Sequence, residues 1–536
     1  MKDAPTPRRQ AAAEGALAPL REPVFRMLWL TWLASHVCMW MNDVAAAWLM
    51  TSLTTSPVLV ALVQTAATLP VFLLGLPSGA LADIVDRRRY FLLTQVWVAA
   101  VAIASGALVF LDLMAAHWLL LLTFANGIGL AMRWPVFSAI VPELVPRTQL
   151  PAALGLNAIA MNTSRIVGPL LAGSIIAGAG IGYVYALNAV LSLAAALAIL
   201  RWKRQPKVSV LPAERFVGAV RAGLRYVRES TRLRPILLRT SVYFVHSVAA
   251  IALLPLLARD FDGESATIYT VLIASLGCGA IVAVFLMPRL RRRWNSDTMV
   301  RAGSVCQSLA VLALALSPNL AVAVPVMIVN GLAWITVANS LSVSAQLALP
   351  DWVRARAMSV FQVVMMGSNA VGALIWGKLA DLTDIHTALA VSAISAMLLL
   401  VATSRVHVAP PADEEEASAP VTPPFAPDLV DPGAGPVLTM IEYRVDAVHV
   451  DTFLALMEDT RRSRLQQGSL SWELFRRVDD PQCFTETIVD ETWADHLRRF
   501  ERMTAADLRL RERRRALQVD GTAPRVVRSI GQRLRH

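Results

Sequence analysis

The chain has 536 residues, of which 56% are hydrophobic and only 17% charged, with a mean hydropathy of +0.52 and a net charge of +11. Soluble domains carry roughly 25% charged residues, so much of this chain cannot face water. Its four cysteines are scattered without paired spacing, which argues against a disulfide framework and a zinc site. The composition predicts a polytopic membrane protein.

The chain starts with a polar segment, residues 1–23, that lacks the apolar centre of a signal peptide. After it, apolar runs long enough to cross a hydrocarbon layer of ~30 Å recur along the sequence. We predict twelve transmembrane helices, at 24–49, 57–78, 90–111, 117–141, 151–177, 182–200, 235–258, 266–288, 298–317, 319–342, 355–377 and 387–403.

The basic residues between these spans are distributed unevenly. Connections after even-numbered spans hold twenty Lys and Arg residues, whereas connections after odd-numbered spans hold only Arg259 and Lys378. Because cytoplasmic loops carry the excess of Lys and Arg, both termini are predicted to be cytoplasmic, in a bacterial inner membrane. The positive charge is therefore a topology signal, and no nucleic-acid partner is expected.

The two halves of the membrane part repeat each other at an offset of 204 residues. At this offset Asn126-Gly127 aligns with Asn330-Gly331, and Gly168 with Gly372. Further matches are Pro146 with Pro350, Gly173 with Gly377, and the triplet 87–89 with 291–293. Two six-helix repeats are therefore predicted, an arrangement in which many carriers place their site between the halves.

These features divide the chain into six segments: a cytoplasmic tail at 1–23, helical bundles at 24–200 and 235–404, linkers at 201–234 and 405–436, and an α+β domain at 437–536. The first linker has apolar residues at helical spacing among arginines. It is either an amphipathic helix on the inner leaflet or a solvated connection. The second is rich in proline and acidic residues and is predicted to be disordered.

The loop after span 2 contains Gly79, Asp83 and the basic run that begins with Arg87 and Arg88. It resembles the cytoplasmic loop signature of the major facilitator superfamily, although Asp86 stands where that signature has glycine. The resemblance implies that Gly79, Asp83, Arg87 and Arg88 form a gating latch between the halves. The alternative is that these arginines only set the topology.

Span 5 carries a run of small residues: Gly155, Ser164, Gly168, Pro169 and Gly173. Their spacing resembles the antiporter signature of the same superfamily, with Ser and Ala at two glycine positions. The resemblance implies export in exchange for protons. The alternative is close helix packing, which small residues permit in any membrane protein. Span 4 lacks the arginine typical of proton-coupled drug exporters, since Thr123 occupies its position.

Four ionisable residues fall inside predicted spans: Asp43, Arg133, Arg165 and His246. A charge inside a bilayer costs at least ~2.5 kcal/mol, so each calls for an explanation. We expect Asp43 to bind protons, with Arg165 or Arg133 as its ionic partner or as an anion contact. A fixed structural pair is the alternative. Arg133 lies near the cytoplasmic end, where snorkelling is plausible, and His246 is interpreted as a core histidine.

Several further stretches, at 48–57, 145–154, 164–173 and 349–357, resemble bacterial exporters related to the enterobactin exporter, the transmembrane secretion effectors. The tail, with 442–444, 471–476 and 493–502, is similar to antibiotic-biosynthesis-monooxygenase domains of ferredoxin-like fold. That similarity implies a binding or homodimerisation role, and the tail sequence carries no cofactor motif.

The hypothesis from sequence is thus a major facilitator carrier that exports a small amphipathic molecule, such as a siderophore, drug or secondary metabolite, in exchange for protons. No enzyme activity, cofactor or metal is expected. Two rivals stay open: a transporter fused to an enzyme domain that acts on the same metabolite, and a non-transporting membrane sensor.

Overall fold

A computed structural model describes residues 17–146, 149–202, 216–262, 266–406, 408, 419, 421–423, 430–519 and 523–532. The chain forms two compact units. The helical unit comprises Met1–Val210, Arg239–Leu341 and Gln362–Val406. The tail unit comprises Leu211–Leu238, Ser342–Phe361 and His407–His536.

Long helices dominate the chain up to residue 402. They are α1 (Pro23–Leu53), α2 (Pro57–Ile84), α3 (Arg87–Phe110), α4 (Ala116–Leu144), α5 (Leu150–Gly178), α6 (Ile181–Arg201), α8 (Leu233–Asp262), α9 (Ala266–Arg293), α10 (Ser296–Ala315), α11 (Leu320–Leu347), α12 (Asp351–Leu382) and α13 (Ile385–Ala402), with the shorter α7 (Phe216–Glu229) between α6 and α8. Over the described residues, ten helices are long and apolar enough to cross a membrane. The prediction of a mostly helical membrane protein is confirmed.

Local sequence signals set several helix starts. Pro23 and Pro57 occupy first turns, where proline has no backbone donor to lose. The side chains of Asp86, Asn295 and Asp384 accept a hydrogen bond from the backbone three residues on, which caps α3, α10 and α13. The aspartate that departs from the family loop signature is thus the N-cap of α3.

Glycines related by the 204-residue offset pack equivalent helix pairs. A Cβ on Gly127 of α4 would lie 2.7 Å from the Ala67 carbonyl of α2, and one on Gly331 of α11 would overlap the Leu276 carbonyl of α9. Likewise, Gly168 of α5 packs on α1 and Gly372 of α12 packs on α8. Only glycine permits such close backbone approach, so each pair depends on its glycine.

Two more offset-related glycines join the first six long helices to the last six. A Cβ on Gly173 of α5 would overlap Thr270 of α9, and one on Gly377 of α12 would overlap Ala61 of α2. Next to the second contact, the Thr65 hydroxyl donates to the Ala370 carbonyl at 3.0 Å. The two halves therefore touch along α5 with α9 and along α2 with α12.

The C-terminal part of the tail unit contains a small antiparallel sheet, as predicted. Its strands are β1 (Val437–Arg444), β2 (Ser471–Arg476), β3 (Cys483–Asp490) and β4 (Arg525–Ile530), in the order β2-β3-β1-β4. Helices α14 (Val450–Gln466), α15 (Trp493–Glu501) and α16 (Ala505–Ala516) complete it. Ile441, Phe453, Phe484 and Ile488 form the core between the sheet and α14.

Helix α7 belongs to the tail unit and is attached to it by its polar side chains. The Arg221 guanidinium lies 3.1 Å from the Glu491 carboxylate. Arg225 donates to the carbonyls of Ser469 and Leu470, the latter at 2.9 Å. Two arginines of this linker, Arg221 and Arg225, therefore bind the tail's own backbone and side chains.

Candidate functional site

An arginine enclosed by two indole rings lies in the helical unit. The Arg165 guanidinium carbon is 5.1 Å from the ring centroid of Trp40 and 4.2 Å from that of Trp334. Arg165 stands on α5, Trp40 on α1 and Trp334 on α11, so the cluster contains residues of both halves. Such cation–π contacts contribute ~0.5–2 kcal/mol each and hold the guanidinium in a fixed plane.

This arginine has no carboxylate partner among the residues that the structure describes. Its side chain is half-buried and forms only the two aromatic contacts there. A guanidinium presents five donors in a planar fork that suits a carboxylate or another planar anion. The cluster of Arg165, Trp40 and Trp334, called here the Trp–Arg cluster, is therefore suited to a ligand that combines an anionic group with an aromatic or apolar surface.

Asp43 lies one helical turn after Trp40 on α1 and is half-buried. In the part of the chain that is described, it forms no hydrogen bond or ion pair, and its electrostatic neighbour is Tyr269 of α9. The expectation that Asp43 pairs with Arg165 or Arg133 is therefore corrected. Arg165 is held by aromatic rings instead of by a carboxylate.

Arg133 does not extend to the cytoplasmic surface. It is only 3% exposed, with its guanidinium carbon 5.9 Å from the Trp32 ring. Trp32 also stacks on Phe137, with ring centroids 3.7 Å apart. The snorkelling interpretation is wrong: α1 and α4 enclose this arginine among aromatic side chains within the first half.

The loop between α2 and α3 carries the proposed latch. Arg88 donates to the carbonyls of Ile199, at 3.2 Å, and Leu200, at the C-terminus of α6. A cation at this end of a helix is favoured by the helix dipole. Gly79 and Asp83 lie within α2, and Gly155 lies within α5. What surrounds these three residues is outside the described structure.

The antiporter-like run of α5 forms a packing surface. Gly168 contacts α1 next to Trp40, and Gly173 contacts Thr270 of α9. Ser164 is fully buried, and its hydroxyl donates to the Met161 carbonyl at 2.9 Å. Pro169 follows Gly168 inside the helix, where it removes one backbone donor. These contacts place Arg165 against Trp40, because both lie on the α1–α5 seam.

The α+β part of the tail unit, residues 437–536, is called here the tail domain. It contains a buried carboxylate that was not predicted from the sequence. Glu486 is fully buried in β3 and accepts from Tyr443 at 2.8 Å, Trp472 at 2.9 Å and Arg464 at 3.2 Å. Burial alone would raise its pKa, but the charges of Arg464 and Arg514 and the donated hydrogen bonds hold the pKa at about 2. The signal was present, since β3 alternation places Glu486 between Phe484 and Ile488.

A second buried group lies at the end of the same strand. Asp490 accepts from His496 Nδ1 at 2.8 Å and from Arg499 at 3.0 Å. Burial lowers the pKa of His496, although Asp490 opposes that effect. Arg528 donates to His496 Nε2 at 3.2 Å, so the neutral ring carries its proton on Nδ1. Both clusters stabilise the tail fold.

No group of three or more His, Cys, Asp or Glu side chains suited to a metal ion occurs among the described residues. The side chains of the Trp–Arg cluster can bind a ligand by charge, hydrogen bonds and aromatic contact.

The helical unit resembles solved transporters. Nucleoside transporter NupG matches with a TM-score of 0.57 and 14% identity, over 72% of this chain and 98% of that one. A bacterial homologue of the human lysosomal transporter Spinster, inward-facing and unoccupied, matches with a TM-score of 0.56 and 16% identity, over 73% and 98%. The helical unit therefore shares the fold of these transporters.

The chain belongs to the transmembrane secretion effector family, whose profile matches residues 14–535. The enterobactin exporter of Salmonella typhi is 24% identical over 68% of this chain and 88% of its own. The staphyloferrin A transporter of Staphylococcus aureus is 22% identical over 67% and 90%.

Macrolide efflux protein A of Streptococcus pyogenes is 22% identical over 49% of this chain, and the match spans 65% of its own length. The predicted resemblance to the transmembrane secretion effectors is confirmed, and a transporter is favoured over an enzyme or a receptor.

Proposed function

We propose that this protein exports a small amphipathic molecule across the bacterial inner membrane in exchange for protons. In this proposal twelve helices cross the membrane as two six-helix repeats, with both termini in the cytoplasm. The offset-related glycine contacts support the repeat, and the placement of the basic residues supports the orientation.

The observation that carries the proposal is the Trp–Arg cluster. Arg165 and Trp40 come from the first half and Trp334 from the second, so a ligand at this cluster contacts both halves. A carrier needs a site of this kind, because rocking of the halves then changes the access to the ligand. The cluster favours a substrate with one anionic group and aromatic or apolar surface, as siderophores, drugs and secondary metabolites offer.

The test uses everted membrane vesicles and three radiolabelled probes: enterobactin, staphyloferrin A and a macrolide. A proton gradient should drive accumulation of at least one probe. Arg165→Ala should reduce that accumulation by about tenfold or more, the loss expected for one charge-assisted contact. Arg165→Lys should fall between, because it keeps the charge without the planar fork.

Lys378→Ala is the control, because it removes an exposed cation that pairs with Asp381. The proposal is contradicted if Arg165→Ala transports the probe as the wild type does, or if no probe responds to the gradient.

Asp43 is proposed as a second group of this site, which binds a proton while the substrate is absent. The latch formed by Asp83 with Arg87 and Arg88 is proposed to hold the cytoplasmic ends together in one state. In the structure Arg88 bonds the C-terminus of α6 within the first half, so its latch contact is proposed for a different state of the carrier.

The tail domain is proposed to be a ferredoxin-like, monooxygenase-like module that dimerises through its open sheet face. Strand alternation places Leu438, Met440 and Val489 on the face opposite the core, and Phe475 on the same face is 52% exposed. This face also carries Glu442, Glu473, Thr485 and Thr487, and the exposed Phe475 ring on it favours self-association. Phe475→Asp should convert dimers of the purified full chain to monomers, measured by light scattering. A monomeric wild type would contradict the dimer.

A further inference from the structure

A cavity of about 30 Å³ lies inside the second half of the helical unit, apart from the Trp–Arg cluster. Residues of α8, α10 and α13 line it, and Arg239 and Leu400 mark the end nearer the cytoplasmic helix termini. Polar side chains on its wall include Tyr243, His246, Ser247, Gln307 and Ser392. Helix packing alone does not explain so many polar side chains inside a lipid-embedded bundle.

Three of these groups have unused hydrogen-bonding capacity within the described structure. Ser247 is 2% exposed, and its hydroxyl has no partner. Gln307 accepts from the Tyr243 hydroxyl at 3.0 Å, while its amide nitrogen forms no hydrogen bond. His246 bonds the Val242 carbonyl through Nδ1 at 2.7 Å, so Nδ1 carries the hydrogen and Nε2 is left as a free acceptor.

A polar group that stays unsatisfied in such surroundings loses its hydration without any compensation, which disfavours a dry cavity. A cavity of this size holds roughly one or two water molecules, and a water molecule supplies both donors and acceptors. Water would accept from the Gln307 amide and donate to His246 Nε2, with the Ser247 hydroxyl as a further partner. The cavity is therefore a water site by size and by chemistry.

We propose that this cavity holds water and that His246 Nε2 is a proton-binding group of the carrier. A proton arriving on the bound water passes to Nε2, the water is left neutral, and the imidazolium then has two N–H donors. Return of the proton to the water restores the starting state. This inference rests on the proposed proton exchange, for which the position of the usual span 4 arginine holds Thr123.

The charges around the cavity favour only transient protonation. The other titratable groups that line it are Arg239 and Tyr243, both on α8, while the described lining residues of α10 and α13 include none. Cys306 of α10 lies outside the lining, as an electrostatic neighbour of Tyr243. The uncharged Trp376 ring of α12 lies next to His246, with the two ring centroids 5.4 Å apart. Because no carboxylate faces His246 in the described structure, the imidazolium has no fixed counter-ion and releases its proton readily. Ready release is what an exchanger needs.

The first test needs no substrate. Deuterium exchange at the imidazole C2 position, followed by mass spectrometry on the full chain in lipid nanodiscs, reports both the titration and the water access of each histidine. His246 should exchange with a sigmoidal pH dependence. Ser247→Val, which fills the cavity, should slow this exchange by about tenfold, whereas Ser247→Ala should not.

His386 is the matched control, because its Nδ1 also bonds a backbone carbonyl, that of Ala315, but the side chain is half-exposed. Its exchange should be unchanged in both Ser247 variants. A His246 that does not exchange at any pH, or that exchanges equally fast in Ser247→Val, overturns the proposal.

The second test concerns transport. In everted vesicles, His246→Gln should lose proton-driven accumulation of the probe that the wild type accumulates, and it should retain counterflow of unlabelled against labelled probe. His386→Gln should retain both. Full proton-driven accumulation by His246→Gln would sink the assignment. If the wild type accumulates none of the probes, the proposed function fails, while the deuterium exchange result still decides whether His246 meets water.

Discussion

Single residues show how burial changes what a charged side chain does. Arg133 and Arg165 both lie in predicted spans, yet one is enclosed within the first half and the other stands between two indoles from different halves. In the proposed function this difference matters, because Arg165 is partly exposed whereas Arg133 is buried. Its neighbour Asp43 forms no ion pair in the described structure, which is consistent with the proton-binding role proposed for it.

Glu486 carries the clearest prediction of stability. Its folded pKa of about 2 lies below the ordinary value of 4.5, so its contribution, about 3 kcal/mol, is present above pH 4.5 and is lost as the pH falls toward 2. Glu486→Gln should destabilise the tail domain by roughly 3 kcal/mol at pH 7, because Arg464 and Arg514 lose their anion. The variant should also lack the loss of stability that protonation of Glu486 causes between pH 4.5 and pH 2 in the wild type.

Amide hydrogen exchange of β3 in the full chain measures both effects. Glu442→Gln, an exposed carboxylate on β1, is the control and should change neither the exchange nor its pH dependence. Equal β3 protection in Glu486→Gln and the wild type would mean that the buried cluster contributes nothing to stability.

Helix pairs depend on a few glycines. Gly173 touches Thr270 of α9, whereas a Cβ added to Gly178, further along α5, would meet nothing within 4 Å. Gly173→Val should therefore separate the two halves at this contact and reduce transport at least tenfold. It should also lower the free energy of unfolding by about 1–3 kcal/mol. Gly178→Val should be near neutral in both, and an equal loss in the two variants would show that the contact is not specific.

The linker helix α7 makes a second prediction about an element. Arg225 donates to two carbonyls of the tail, while Arg228 of the same helix is exposed. Arg225→Ala should release α7 and raise its cleavage by trypsin several-fold in the full chain, because a hydrogen bond to a charged group contributes about 1.5–3 kcal/mol. Arg228→Ala should leave the cleavage pattern of the remaining sites unchanged. Unaltered proteolysis in Arg225→Ala would contradict this attachment.

The proposed membrane topology of the entire chain is testable by accessibility. In a chain whose four native cysteines are replaced, Val85→Cys and Trp294→Cys probe equivalent loops of the two repeats, and both positions are exposed. A membrane-impermeant thiol reagent should label both from the cytoplasmic side. Leu113→Cys, in the connection between α3 and α4, should be labelled only from the other side. Opposite labelling of Val85→Cys and Trp294→Cys would refute the parallel repeat.

Much of this architecture follows from local patterns. Long apolar runs predict membrane helices, because a span must satisfy its backbone within itself. The repeated Asn-Gly positions indicated two related halves, and Gly127 and Gly331 do make equivalent helix contacts. The sheet of the tail follows from the alternation along β1 and β3.

Ion-pair partners did not follow from these patterns. Charge alone made Asp43 and Arg165 look like partners, but a charged side chain is stabilised by whatever lies next to it in space, including an aromatic face. In the same way, Glu486 and its arginines are far apart in sequence and meet only across the folded tail.

Composition and periodicity along the chain were sufficient to predict the membrane class and the helical content, and the resemblance of several motifs was sufficient to predict the family. The packed arrangement was needed to show that Trp40 and Trp334 enclose Arg165, that Arg133 is buried, and that His246 borders a polar cavity. These last properties depend on distances between helices that are remote in sequence. Such distances are set by how the helices pack, and no local pattern of residues encodes them.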